Sequence, residues 1–251
     1  MSDTPETPRE QTLIEHLLEL RDRLLRIVVA VLLLFLGLLP WANDIYHALA
    51  KPLLDVMPAG TSMIATGVAS SFVAPMKLTG WLALFLAIPY VLWQVWAFVA
   101  PGLYRHEKRF AAPVVVSSVL LFYGGMAFAY FVVFPLVFAF FTATAPEGVA
   151  VMTDIEAYLS FVLTMFLAFG IAFETPVAVV LLVAMNMVST QAMIAARPYV
   201  IVAAFVIGML LTPPDVLSQF LMAIPMWLLF EAGVLVGRLI EKHRTTVPAN
   251  D

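Results

Sequence analysis

Three carboxylates in this chain stand where a carboxylate is unexpected. Glu107 lies within 104–109, among Arg105, His106, Lys108 and Arg109. Glu19 lies in HLLELRDR, a run that mixes charge with leucine, and Glu174 lies in GIAFETPVA, inside a long apolar stretch. A carboxylate ringed by bases can do one of two things. It can be neutralised by its neighbours as a surface ion pair, worth under about 1 kcal/mol. Alternatively it can receive a cation from outside, most naturally an arginine, whose planar fork bonds a carboxylate at two points. The neighbouring bases keep Glu107 ionised but also repel a guest cation. An arginine would therefore need a second acid, such as Glu19, or apolar contact from Phe98, Leu103 and Tyr104.

Glu174 poses a different problem. A carboxylate at membrane depth is costly, so it should face protein or a water-filled cavity and be neutral. Such a group is either functional or a glutamic acid hydrogen-bonded to a neighbouring helix, with Thr212 and Gln219 as candidate partners. Glu231 sits close to an interface and reads as structural.

The elements that must position these groups follow from composition. The chain has 251 residues, 63% hydrophobic and 12% charged, which excludes a water-soluble domain with a polar surface. Cysteine is absent and the four histidines are scattered, so no disulfide framework, metal site or haem motif is expected. Apolar stretches near 24–42, 77–100, 111–141, 157–188, 198–212 and 216–236 predict six transmembrane helices. The expected class is an all-α polytopic membrane protein forming a single membrane domain, with helices five and six short. The fifth stretch, at about 15 residues, reaches only about 22 Å.

Pro89, Pro135, Pro176 and Pro225 lie within apolar spans and predict kinks. The connection TPPD (212–215) admits only a tight hairpin, with Asp215 placed to cap the sixth helix. Eleven of the thirteen Lys and Arg fall on one side, Lys51 and Lys77 being the exceptions, which places both termini and the Glu107 loop in the cytoplasm. A cleaved signal peptide does not fit the first span, because the polar region before it is long and no small-residue cleavage site follows Pro40.

Before that span, residues 12–26 predict an interfacial amphipathic helix. Thr12 and Glu15 form a capping box, and Glu19–Arg23 and Asp22–Arg26 stand as i,i+4 pairs. Familiar hydrolase, metalloprotease and nucleotide-binding motifs are missing, so no enzyme is expected. A proton-coupled small-solute transporter built on Glu174 is the rival reading. The lack of an obvious inverted repeat weighs against it.

Taken together, HLLELRDR (16–23), FVAPGLYRHEKR (98–109), TDIEAYLSF (153–161), FETPVA (173–178) and LLTPPDVLSQ (210–219) resemble the hallmarks of TatC, the C subunit of the twin-arginine protein translocase. The resemblance covers nearly the whole chain in order. It implies a receptor in the bacterial inner membrane for signal peptides bearing paired arginines. Such a receptor works in a multimeric complex with single-span TatA-like and TatB-like partners, and exports folded proteins on the proton-motive force without a cofactor. It further implies that Glu107 and Glu19 form the arginine-recognition patch with Phe98, and that Pro52 is structural in the first periplasmic loop region. Glu174 becomes the polar residue of a concave face, and Met209, Thr212 and Gln219 a contact surface for the single-span partners. Short fifth and sixth helices would then thin the surrounding lipid as TatA protomers gather.

Overall fold

The computed structural model describes residues 13–55, 62–67, 69–99, 111–143, 152–211 and 216–246. Helix α1, Leu13–Leu38, carries no glycine or proline before Gly37 and ends where Pro40 opens a 3₁₀ turn, Leu39–Trp41. The charged stretch and the first apolar span are thus one unbroken helix. The apolar window of that span has no buried residue, as suits a helix bathed in acyl chains rather than water. Thr12, half of the expected capping box, lies outside the described residues. Asp22 pairs with Arg21 at 2.9 Å instead of with Arg26, because the adjacent guanidinium folds back along the exposed face.

Helix α2 spans Ala42–Asp55, and α3 spans Ser70–Val99 with Pro75 and Pro89 inside it. The third apolar stretch is α4, Ala111–Phe128, then a π turn, Ala129–Val133, then α5, Phe134–Ala143. In the π turn the Phe134 amide donates to the Ala129 carbonyl, which takes up the register break just before Pro135. The fourth stretch is also broken: α6, Ile155–Ala172, and α7, Thr175–Ala184, meet at Phe173 and Glu174, with Pro176 in the first turn of α7. Pro89 and Pro225 sit inside helices that continue past them.

A turn through Asn186, whose φ is 53°, leads to the short α8, Thr190–Ala195, capped by the Ser189 hydroxyl. Helix α9 is Arg197–Leu211 and α10 is Val216–Thr246. Among the described residues, five helices are long and apolar enough to cross a membrane, and Arg197–Met209 is a shorter apolar helix. The fifth helix is therefore short, but the sixth is not. At 31 residues α10 continues well past the end of its apolar stretch, because GRLIEKHRTT keeps helix-forming side chains and no proline.

Among the described residues, two short strands form a ladder. Ser62–Ile64 (β1) pairs in parallel with Met152–Asp154 (β2), Ser62 facing Met152 and Ile64 facing Asp154. Asp154 also caps α6, accepting from the Glu156 and Ala157 amides, and accepts from the Thr66 amide and hydroxyl at 3.1 and 2.6 Å. Ser70 donates to Glu156, and Lys77 to the Ser160 hydroxyl, so α3 and α6 are tied at the same end.

The Thr66 hydroxyl, then the Ala157 and Thr66 amides, then the Glu156 amide hold the Asp154 carboxyl at about 2, below its ordinary 3.8. A depressed folded value means that this contribution is full above about pH 4 and is lost as pH falls through about 2. Protection of the Thr66, Glu156 and Ala157 amides, measured against their intrinsic exchange rates, should fall over that window. In Asp154→Ala that protection should be low throughout, with no acid transition.

The core lies among α3, α4, α5 and α6. Phe85, Phe134 and Phe169 fill it beside Leu159, Val162 and Met165, and Phe166 meets Phe134 at 5.2 Å. Two glycines let helices touch. A Cβ on Gly125 would lie 2.3 Å from the Phe169 carbonyl oxygen, and one on Gly233 would lie 2.9 Å from Pro176 Cα. A smaller cluster of Val179, Val183, Met193, Phe230 and Val234 joins α7, α8 and α10.

Candidate functional site

The first carboxylate is held at the crossing of α1 and α3, which run antiparallel so that their polar positions meet rung by rung. His16, Glu19 and Arg23 recur at helical spacing on α1, and Tyr90, Gln94 and Phe98 do so on α3. At the outer rung His16 stacks on Phe98, ring centroids 4.2 Å apart and planes 20° from parallel. At the next, Arg23 donates to Glu19 Oε1 twice, through Nε at 2.9 Å and Nη2 at 2.6 Å. Its Nη1 donates to Gln94 Oε1 at 3.1 Å, and Gln94 Nε2 donates to the Tyr90 hydroxyl at 2.8 Å. Gln94 is only 3% exposed, so this chain begins on a side chain that water does not reach.

The expected Glu19–Arg23 pair therefore forms, and Phe98 is one turn from it. Glu107 lies outside the described residues, as do Thr212 and Asp215. Pro52 falls within α2. Motif reading includes His16 in HLLELRDR without giving it a role, and passes over Tyr90 and Gln94. A lone glutamine inside an apolar helix is the signal that could have found Gln94, since a buried amide needs a partner on another element.

Glu174 occupies the break between α6 and α7, inside the fourth apolar span, Ile155–Ala184. The polar group beside it is the Ser118 hydroxyl of α4, which accepts from the Trp96 indole at 2.9 Å. Both Glu174 oxygens are buried and meet hydrogen-bond geometry with no group among the described residues. Gln219 is not its partner: it packs against Gly208, where α9 and α10 come together, with Phe205 on Phe220 at 5.1 Å nearby. Met209, at 53% exposed, lies on the open surface of that hairpin. An apolar hollow of about 270 Å³ is lined by residues of α6, α7, α9 and α10, among them Thr164, Thr175, Ile207 and Met226, and Thr175 is the neighbour of Glu174 in sequence.

Glu231 is structural, as its position suggested, and it has a specific partner. Arg197, at the start of α9, donates to Glu231 Oε2 through Nη2 at 2.7 Å, and its Nε lies 2.6 Å from Oε1 as an ion-pair contact. The Thr190 hydroxyl donates to Glu241 one helical stretch further on, bracing α8 against α10.

Comparison with known proteins draws these features together. The family model for the Sec-independent protein translocase protein (TatC) matches residues 15–225. The Sec-independent protein translocase protein TatC of Azotobacter chroococcum mcd 1 is 59% identical over 251 residues, covering 100% of this chain and 98% of its own. That of Escherichia coli (strain K12) is 59% identical over 228 residues, covering 91% and 88% respectively. The crystal structure of a twin-arginine translocase receptor, TatC, superposes with a TM-score of 0.80 at 36% identity, covering 90% of this chain and 100% of that one.

Proposed function

The chain belongs to the TatC family of Sec-independent protein translocase proteins, and from that premise we propose that it is the signal-peptide receptor and core subunit of a twin-arginine translocase. The observation that carries this reading is the rung of Glu19, Arg23 and Gln94 beside the stacked pair of His16 and Phe98. It sets a fixed carboxylate next to an aromatic surface, at the end of α3 that leads into the loop of Glu107. Two guanidinium groups call for two carboxylates, and Glu107 is the second.

The membrane is the bacterial inner membrane, crossed six times with both termini in the cytoplasm. The fifth crossing is α9, whose 15 residues reach about 22 Å, so the lipid beside it is thinned. Met209, Thr212 and Gln219 belong to the contact surface for single-span TatA-like and TatB-like subunits, and Glu174 to the concave face. The proton-motive force drives movement of the folded cargo, and the chain carries no catalytic centre.

The test is site-specific crosslinking in membranes, using a peptide with two consecutive arginines followed by an apolar run. Wild type should crosslink at the Glu107 loop and at α1. Glu107→Ala, or a peptide with both arginines changed to lysine, should lose those crosslinks. Equal crosslinking in all three would show that Glu107 is only a neutralised surface charge.

A further inference from the structure

We propose that Arg23 is the specificity-determining residue of the Glu19 half of the recognition patch: by filling one carboxylate oxygen it leaves Glu19 to read a cation's charge but not its shape. The inference rests on the proposed reading of Glu19 as a receptor for one of the two signal-peptide arginines. A carboxylate offers about two acceptor positions on each oxygen. Arg23 takes both on Oε1, through Nε and Nη2, whereas Oε2 has no partner among the described residues.

Arg23 does not swing freely. Its Nη1 is bound to Gln94, which is buried on α3 and held in turn by Tyr90. Displacing Arg23 would strand the Gln94 oxygen away from water, so a guest meets Glu19 with Arg23 in place. Only Oε2 then remains, and the two-oxygen fork that distinguishes arginine from lysine cannot form there. An ammonium, which needs one acceptor and a nearby negative charge, satisfies Oε2 about as well as a guanidinium does. Discrimination between the two cations falls to Glu107. The pair of arginines is thus read asymmetrically, one for its geometry and one for its charge.

Three peptides test this, identical except for Arg-Arg, Lys-Arg or Arg-Lys at the pair, each crosslinked to the full chain in membranes together with its single-span subunits. In wild type one lysine peptide should bind within about threefold of Arg-Arg and the other should fall by about tenfold or more. Arg23→Met frees Oε1, so the tolerated lysine peptide should drop to about a tenth of Arg-Arg. Gln94→Met keeps Arg23 but unpins it, and should move the same ratio the same way by a smaller factor. The ratio compares peptides on one preparation, so a variant that inserts poorly still reports.

An unchanged ratio in Arg23→Met, or two equally weak lysine peptides in wild type, overturns the proposal. Glu19→Ala separates the two levels of failure. If it abolishes binding while Arg23→Met leaves the ratio fixed, only the role of Arg23 fails. If it leaves all three peptides bound as before, the receptor reading of Glu19 fails and the proposal with it.

Discussion

Replacing Glu19 and Glu107 together by glutamine should reduce binding of a two-arginine peptide by about a thousandfold or more. Each hydrogen bond to a charged group is worth about 1.5–3 kcal/mol, and each carboxylate that loses its charge forfeits at least one. The single variants should each lose about ten- to a hundredfold. They should combine more than additively, because the two arginines are adjacent and share one peptide. Binding isotherms in membranes check this, read beside Glu174→Gln. That third variant should bind the peptide as wild type does, since Glu174 lies in the α6–α7 break beside Ser118 and shares no hydrogen bond with the α1–α3 rung. If Glu174→Gln abolished binding while the double variant bound normally, a solute transporter centred on Glu174 would become the better reading.

Gly125→Val should be the most damaging single change to stability. The new Cβ would meet the Phe169 carbonyl oxygen at 2.3 Å and the Phe173 ring at 3.0 Å, and the first of these belongs to a helix backbone. No rotamer relieves such a clash, so α4 and α6 must part along the seam that holds Phe122 and Phe169. The expected cost is about 3 kcal/mol, at the upper end for overpacking. Thermal unfolding in detergent should fall by about 6–12 °C. Gly124→Val is the matching control: nothing lies within 4 Å of a Cβ there, and its transition should stay at the wild-type temperature.

Hydropathy was a good guide to this chain where local composition determines structure. The apolar helices, the shortness of α9 and the close approach of α9 to α10 all follow from run lengths and the TPPD connection. Pro176 and Pro135 marked two places where helices lose register, because a missing amide acts locally. The Glu19–Arg23 pair was legible for the same reason, being four residues apart on one helix.

What escaped depends on contacts between distant segments. Gln94 is an unremarkable residue until Arg23, 71 positions away, is set against it. Asp22 chose its immediate neighbour because both side chains are exposed and nothing on α3 competes. Thr212 and Gln219 are the candidate partners of Glu174 that the sequence offers; the α6–α7 break instead sets Glu174 beside Ser118, and Thr212 lies outside the described residues. Hydropathy also ended α10 at its apolar boundary, although a helix needs only favourable propensity to continue into water.

The parallel ladder of Ser62–Ile64 with Met152–Asp154 also imposes an order of events on biogenesis. Ribosomes add roughly 5–20 residues per second, so the second strand emerges many seconds after the first. Throughout that interval α3, α4 and α5 are made and delivered to the bilayer without the ladder and the Asp154 bonds that tie the start of α3 to α6. That tie consequently waits until more than half of the chain has been made, and a ribosome stalled before Met152 leaves inserted helices without it.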